Sequence, residues 1–193
     1  MPNWCENNLK LSGLKKETVS TITKNMLEDQ NPYPEFLNVL HPVPDLQEIM
    51  SDEVIQLSAK KENKTVEDYI HSWGFNWQRQ NWKVKWDIFI PNHEEYGNPL
   101  LDYGDNHVEV KFLSPWAPPV GTYEHLHQEG VEVKAHYCEF GLDYCGFWFD
   151  GEDCEYRISD REYPPVFDEK FGITERTGDW NEDDIPSTGE NND

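Results

Sequence analysis

Basic residues are scarce in this chain: 16 Lys and Arg stand against 38 Asp and Glu over 193 residues, a formal net charge of -22. A field of that sign repels phosphate backbones at long range, so direct, non-specific binding of nucleic acid is not expected. Thiols are few as well. Cys5, Cys138, Cys145 and Cys154 are too few and too widely spaced for a disulfide-dense secreted scaffold, and they lack the paired short spacing of a zinc ribbon. Cys145 and Cys154 fall on two strands expected to be neighbours, where a bridge could form, yet reduced and buried thiols are the expectation in a cytosol. The basic end and continuous apolar run of a signal peptide are both missing from the first residues. Absent too are a nucleophile beside a His, a phosphate-binding Gly loop and a repeated metal signature. These absences predict a cytoplasmic protein that has no membrane association, metal or cofactor and acts by binding rather than catalysis.

Aliphatic content is also low. Hydrophobic residues make up 36% and mean hydropathy is -0.85, but aromatic residues reach 13%, with eight Trp, nine Tyr and nine Phe. Large rings bury much area per residue, so an aromatic-rich core can offset the shortage. The length suits one domain of comfortable size.

Periodicity changes in a readable order along the chain. In the opening MPNWCENNLKLSG, Leu9, Leu11 and Gly13 alternate, which predicts an N-terminal strand closed by a turn. Val19, Ile22 and Met26 recur at helical spacing from Lys15 to Glu28. The prolines at 32, 34, 42 and 44 predict an extended segment over 31–44, pinned to the core by Phe36, Leu37, Val39 and Leu40. Residues 45–80 read as a helical insertion in two pieces, with Thr65 and Asp68 as a capping pair. Val84, Trp86, Ile88 and Ile90 alternate with Lys83, Lys85 and Asp87, which predicts a second strand over 83–90. After a loop rich in Asn, Gly and Asp, His107–Leu113 reads as a third strand, broken by Ser114-Pro115-Trp116-Ala117-Pro118-Pro119. A short helix over Tyr123–Glu129 ending at Gly130, a strand over Val131–Tyr137 and a hairpin around Asp150-Gly151, spanning about 143–158, complete the pattern.

Strand, helix, strand, strand, helix, strand is the order of the ferredoxin-like fold, an α+β architecture with an antiparallel sheet and helices on one face. Here it carries a helical insertion and an extra C-terminal hairpin. The domain is expected to run from 1 to 177. Residues 178–193, almost without apolar content, read as an acidic disordered tail. From Asp150 to Asp193 there are fifteen acidic and four basic residues, half the net charge in under a quarter of the length.

Four segments taken in order, MPNWCENNLKLSG at the start, NWKVKWD over Asn81–Asp87, SPWAPP over Ser114–Pro119 and YCEFGLDYCGFWFDG over Tyr137–Gly151, resemble the YubB-like (Api-type) ferredoxin-like family. Members of that family are encoded by phages, plasmids and genomic islands, and their biochemical role is mostly unassigned. The resemblance covers residues 1–151 and implies the fold, an origin on a mobile element, and a role in helping that element cope with its host. Two positions depart from the family pattern. Lys83-Val84 stands where a Gly-Thr pair is usual, and Ser114-Pro115-Trp116 where Thr-Ala-Trp is usual, so no shared ligand site is carried over.

Three candidate sites follow from the residues. Trp4, Trp82, Trp86 and Trp116 could line a pocket where a flat ligand stacks, with Lys83 and Lys85 supplying charge for a nucleotide-like anion and Asn3 supplying hydrogen bonds. The plainer reading makes most of these rings core and the lysines a solvated strand face, because alternation puts Trp86 opposite both lysines. Glu139 and Asp143 flank Gly141 and could act as an acid–base pair of hydrolase type, although carboxylates in such turns more often bond to backbone. His125 and His127 diverge on a helix and are not expected to share a metal. Third, Asp150, Glu152, Asp153, Glu155, Asp160, Glu162, Asp168 and Glu169 form an acidic surface that could mimic phosphates to a basic protein partner such as a host nucleic-acid enzyme. Same-face neighbours on a strand lie about 6.5–7 Å apart, which permits such mimicry. The expected activity is therefore that of an acidic, non-enzymatic binding protein in a nucleic-acid-mimicking or counter-defence role, with small-ligand binding as the alternative and hydrolysis third.

Overall fold

The structure, a computed structural model, describes residues 3–27, 32–91 and 96–178. The expected acidic tail lies almost wholly outside the described residues. Six strands, β1 (Trp4–Ser12), β2 (Leu100–Tyr103), β3 (His107–Pro115), β4 (Glu132–Glu139), β5 (Tyr144–Phe149) and β6 (Glu152–Arg157), form one sheet in the spatial order β2-β3-β1-β4-β5-β6. Every pairing is antiparallel. The architecture is therefore α+β with an open antiparallel sheet.

Strand β1 sits at the centre, and its alternation decides which side chains face where. Cys5, Asn7, Leu9 and Leu11 are buried on one face, opposite Ser114, Phe112, Val110 and Val108 of β3. Three helices cover that face: α1 (Lys16–Leu27), α2 (Phe36–Leu40) and, from the later part of the chain, α6 (Val120–Gln128). The helical periodicity of α1 is realised, with Val19, Ile22 and Met26 buried against Leu9, Leu11, Val108, Val110 and Phe112. Helix α6 adds Tyr123 and Leu126 and ends ahead of Gly130, whose φ of 84° takes the chain back into β4.

The insertion folds as α3 (Leu46–Ile49), α4 (Asp52–Lys61) and α5 (Val66–Asn81), three helices rather than two. Thr65 caps α5, its hydroxyl accepting from the Asp68 N–H at 3.0 Å and donating to the Asp68 carboxylate at 2.7 Å, as its spacing predicts.

Three expectations are corrected. The segment 31–44 is not extended throughout, since Phe36–Leu40 forms a helical turn. Its prolines flank the turn, and Phe36, Leu37 and Leu40 give it an apolar face to bury. Residues 83–90 are not a strand. Val84, Ile88 and Ile90 are buried, but the only ladder contact there among the described residues is an isolated bridge from Phe89 to Leu113. Lys83 breaks the extension with a left-handed φ of 65°. Asp87 turns inward, its carboxylate accepting from the N–H groups of Leu37 (2.8 Å), Asn38 (3.0 Å) and Ile88 (2.7 Å). Helix α2 has no side-chain cap of its own, so Asp87 supplies one. The edge position next to β3 is taken by the short β2, whose residues read as loop from the sequence.

The third correction concerns layering. Helices α7 (Pro165–Phe171) and α8 (Ile173–Thr177) cover the other face of the sheet, where Phe167, Phe171 and Ile173 pack with Cys138, Cys145 and Ile158. The reason is that β5 offers apolar groups on both sides. Trp148 belongs to the first core, while Cys145 and Phe147 face the second, and a strand covered twice reads as a continuous apolar run. The hairpin itself forms as expected, with left-handed φ at Asp150 (47°) and Gly151 (92°), the conformation of a two-residue I′ turn.

Candidate functional site

At one end of the helix-covered face the core turns polar. Asn7 and Ser114 are buried and their side chains meet: the Asn7 amide donates to Ser114 Oγ at 2.8 Å and to the Cys5 carbonyl at 2.8 Å. Ser114 Oγ donates to the Ala117 carbonyl at 2.7 Å, and the Tyr123 hydroxyl donates to Asn7 Oδ1 at 3.3 Å. The Tyr144 hydroxyl donates to the Trp116 carbonyl at 3.0 Å. Burial pushes the hydroxyls of Tyr123 and Tyr144 and the Cys5 thiol above their ordinary ranges. They therefore remain protonated at neutral pH and serve as donors, and none of them is a ready base or nucleophile.

This network has a mechanical result. The Trp116 N–H donates to the Asn3 carbonyl at 3.0 Å, its carbonyl is held by Tyr144 and the next carbonyl by Ser114, so the turn after β3 is clamped on three sides. Trp116 has a φ of 71°, a conformation that costs a non-glycine residue about 1–3 kcal/mol and persists because its surroundings impose it. The residue is nevertheless 45% exposed.

Trp116 lines an open cavity of about 450 Å³ together with Arg79 from the last turn of α5 and Lys83 and Lys85 from the segment behind it; Val84, Pro115 and Ala117 complete the lining. No carboxylate belongs to this lining. Among the described residues, neither Arg79 nor Lys83 has an ion-pair or hydrogen-bond partner, and the Lys85 ammonium lies 5.1 Å from the Trp86 ring centroid.

The structure thus brings Lys83, Lys85 and Trp116 to one cavity and leaves Trp4, Trp82 and Trp86 out of its lining, although Trp86, expected opposite both lysines, touches Lys85. Trp82 is buried, its indole N–H donating to the His41 carbonyl at 2.7 Å. Trp4 stacks on Phe89 with centroids 5.1 Å apart. Trp86 lies beneath Lys85, and Asn3 takes part through its backbone. Arg79 escaped the sequence reading because it is helical and brought in only by the α5 terminus; its one signal is its place three residues ahead of the aromatic-basic run at Trp82.

The carboxylates of Glu139 and Asp143 are both occupied by turn backbone. Glu139 accepts from the Gly141 N–H at 3.1 Å and from that of Leu142, and Asp143 accepts from the Ser159 N–H (3.0 Å) and hydroxyl (2.6 Å). His125 stacks on His41 (3.7 Å) while His127 meets Trp148 (5.7 Å), so the two rings do diverge. Among the described residues no group of three or more His, Cys, Asp or Glu is placed to hold a metal, and no helix is long and apolar enough to cross a membrane.

Of the acidic surface, Glu152, Asp153 and Glu155 lie on β6, the outermost strand, and Asp150 in the turn before it. Asp153 accepts from the Tyr137 hydroxyl at 2.5 Å. The Tyr137 ring lies so close over Gly146 that a Cβ there would meet it at 2.5 Å. Asp160 and Glu162 follow in the exposed linker. Asp168 and Glu169 sit on α7, across the sheet, with Asp168 accepting from the Thr174 N–H at 2.6 Å.

No family model matches the chain, and no curated protein matches it. Among solved structures it is similar to the crystal structure of a protein api92 from Yersinia pseudotuberculosis, family-model DUF1281, with 10% identity, a TM-score of 0.37 and coverage of 81% of this chain and 98% of that one.

Proposed function

We propose that this is a non-catalytic binding protein, carried by a phage or other mobile element, that meets a basic host protein surface through the acidic edge formed by β6 and its flanks. The observation that supports this most directly is that β6 is the outermost strand with an open edge among the described residues, and on it Glu152, Asp153 and Glu155 are exposed, with Asp150 before them and Asp160 and Glu162 after. An unpaired edge invites association, and like charge along it repels other acidic chains, this one included, while admitting cationic ones. Arg157 ends the run of carboxylates on the Asp153–Glu155 face, so the reading is of electrostatic docking to a compact basic patch, with phosphate mimicry limited to that short stretch. We further infer that β1 to β4, in the order β2-β3-β1-β4 with α1 and α6 on one face, are a ferredoxin-like unit to which β5 and β6 are added.

Affinity capture from a host extract followed by mass spectrometry, with the captured protein then purified and titrated, tests this reading. A basic partner whose affinity falls steeply between 50 and roughly 200 mM salt, and is lost with Glu152→Lys/Glu155→Lys, supports it. Salt-independent association, or binding unchanged by that double substitution, refutes it.

A further inference from the structure

We propose that the cavity between Trp116 and the Arg79, Lys83 and Lys85 side chains binds a mononucleotide, its phosphate among the three cations and its base stacked on the Trp116 indole. The inference is independent of the acidic edge, which lies on a different part of the sheet.

Charge carries the first part. In a chain with more than two acidic residues for each basic one, many described cations are paired with a carboxylate or a carbonyl, among them Lys10, Lys16, Lys64 and Lys134 with glutamate or aspartate, Arg176 with Glu6 and Lys111 with the Tyr96 carbonyl. Arg79, Lys83 and Lys85 instead converge from two segments on one cavity with no acid in its wall. Three like charges held together repel one another, and a multiply charged anion relieves that repulsion. A guanidinium among them offers a planar fork that matches two phosphate oxygens, while the two ammonium groups act as point charges.

The ring carries the second part. Trp116 is exposed although its backbone is fixed by Asn3, Tyr144 and the Ser114 contact to Ala117. A large apolar group on a backbone fixed in this way is partly pre-organised, so stacking on it loses less conformational freedom. Base stacking on an aromatic side chain is worth about 1–3 kcal/mol, and a value of about 1.4 kcal/mol, in the lower half of that range, is already a factor of ten in affinity. The volume, about 450 Å³, falls in the range of small-ligand sites. A long polyanion is disfavoured by the overall charge, which favours a single nucleotide over a strand.

The test is isothermal titration of the full chain with AMP, adenosine, inorganic phosphate and a ten-nucleotide DNA strand at low salt. Arg79, Lys83 and Lys85 are exposed, so Arg79→Gln and Lys83→Gln leave the fold intact, and thermal unfolding verifies this for Trp116→Ala. The expected result is AMP binding at least about tenfold tighter than either adenosine or phosphate, weakened about tenfold by Trp116→Ala and again by Arg79→Gln or Lys83→Gln. Equal binding of adenosine or of phosphate alone, tighter binding of the strand, no AMP binding at millimolar concentration, or AMP binding unaffected by Trp116→Ala in folded protein each overturns the proposal.

Discussion

Two glycines in neighbouring helices predict opposite responses to the same substitution. At Gly121, in the first turn of α6, an added Cβ would lie 1.9 Å from the Asn81 carbonyl oxygen, 2.9 Å from its carbon and 3.0 Å from Lys83 Cγ. The first two are backbone atoms at the C-terminus of α5, so relief requires the two helix ends to separate by more than an ångström. Overpacking of this kind costs about 1–3 kcal/mol and occasionally more, against a helix-propensity gain of up to about 1 kcal/mol for replacing Gly by Ala. Gly121→Ala should therefore destabilise the protein by about 2 kcal/mol, or roughly 4–8 °C in melting temperature for a chain of this size. At Gly74, inside α5, the nearest atom to an added Cβ is Val43 Cγ1 at 3.9 Å, an ordinary contact. Gly74→Ala should stabilise by about 0.5–1 kcal/mol, from propensity alone. Circular-dichroism melts of both variants beside the parent measure the pair. A Gly121→Ala protein as stable as the parent would refute the close approach of α5 and α6. The contact with Lys83 adds a functional consequence, because the wall of the cationic cavity must move too, so AMP binding should fall with Gly121→Ala and survive Gly74→Ala.

Removing the Asp87 carboxylate by Asp87→Ala leaves the Leu37, Asn38 and Ile88 N–H groups without their acceptor, at a cost of about 2–3 kcal/mol; chemical denaturation should register that loss, and Asp87→Asn, which keeps one oxygen, should lose less. Burial, with a smaller contribution from Lys170, pushes the His136 imidazole down to about 4 from an ordinary 6.5. The unfolded chain then binds a proton that the folded chain does not. Stability contributed above pH 6.5 is lost as pH falls toward 4, by about 1 kcal/mol once the partial exposure of the ring is discounted. The melting-temperature difference between His136→Phe and the parent should grow in favour of the variant across that window, and a constant difference would contradict the shift. Thiol labelling should be ordered by exposure: Cys5, Cys138 and Cys145 are buried and only Cys154 is partly open, so one equivalent of maleimide should react well before the other three, which follow on denaturation.

How far the fold could be read in advance depended on whether burial and hydrogen bonding shared one period. In β1, α1, β3, α6 and β4 they do, and alternating or helical patterns located those elements to within a few residues. Over 83–90 they part company. Val84, Ile88 and Ile90 alternate into the core as a strand would, but the intervening Asp87 also turns inward to cap a helix fifty positions earlier, a task that leaves no mark on local sequence. Strand β2 was missed because four residues, of which only Leu100 is buried, carry too little pattern to separate from a loop. The covering of the second sheet face by α7 was hidden for the opposite reason: YCGFWF is apolar at every position, and periodicity cannot assign such a run to one face or two.

The candidate site divides along the same line. Lys83, Lys85 and Trp116 are legible as residue types, since an aromatic-basic run and a Trp bracketed by prolines both stand out. What made them a site could not be read, because it lies in groups outside the cavity lining: the buried Asn7 and Ser114 and the half-buried Tyr144 fix the backbone that holds Trp116 outward. Buried polar groups so completely bonded stabilise little in net terms but select one arrangement, because any alternative leaves an amide or hydroxyl unpaired at about 1–3 kcal/mol each. The same reasoning explains why the paired carboxylates at Glu139 and Asp143, the most chemical-looking feature of the chain, are poor candidates for chemistry. Their oxygens already hold turn N–H groups, and a base committed to backbone donors must break those bonds before it can take a proton.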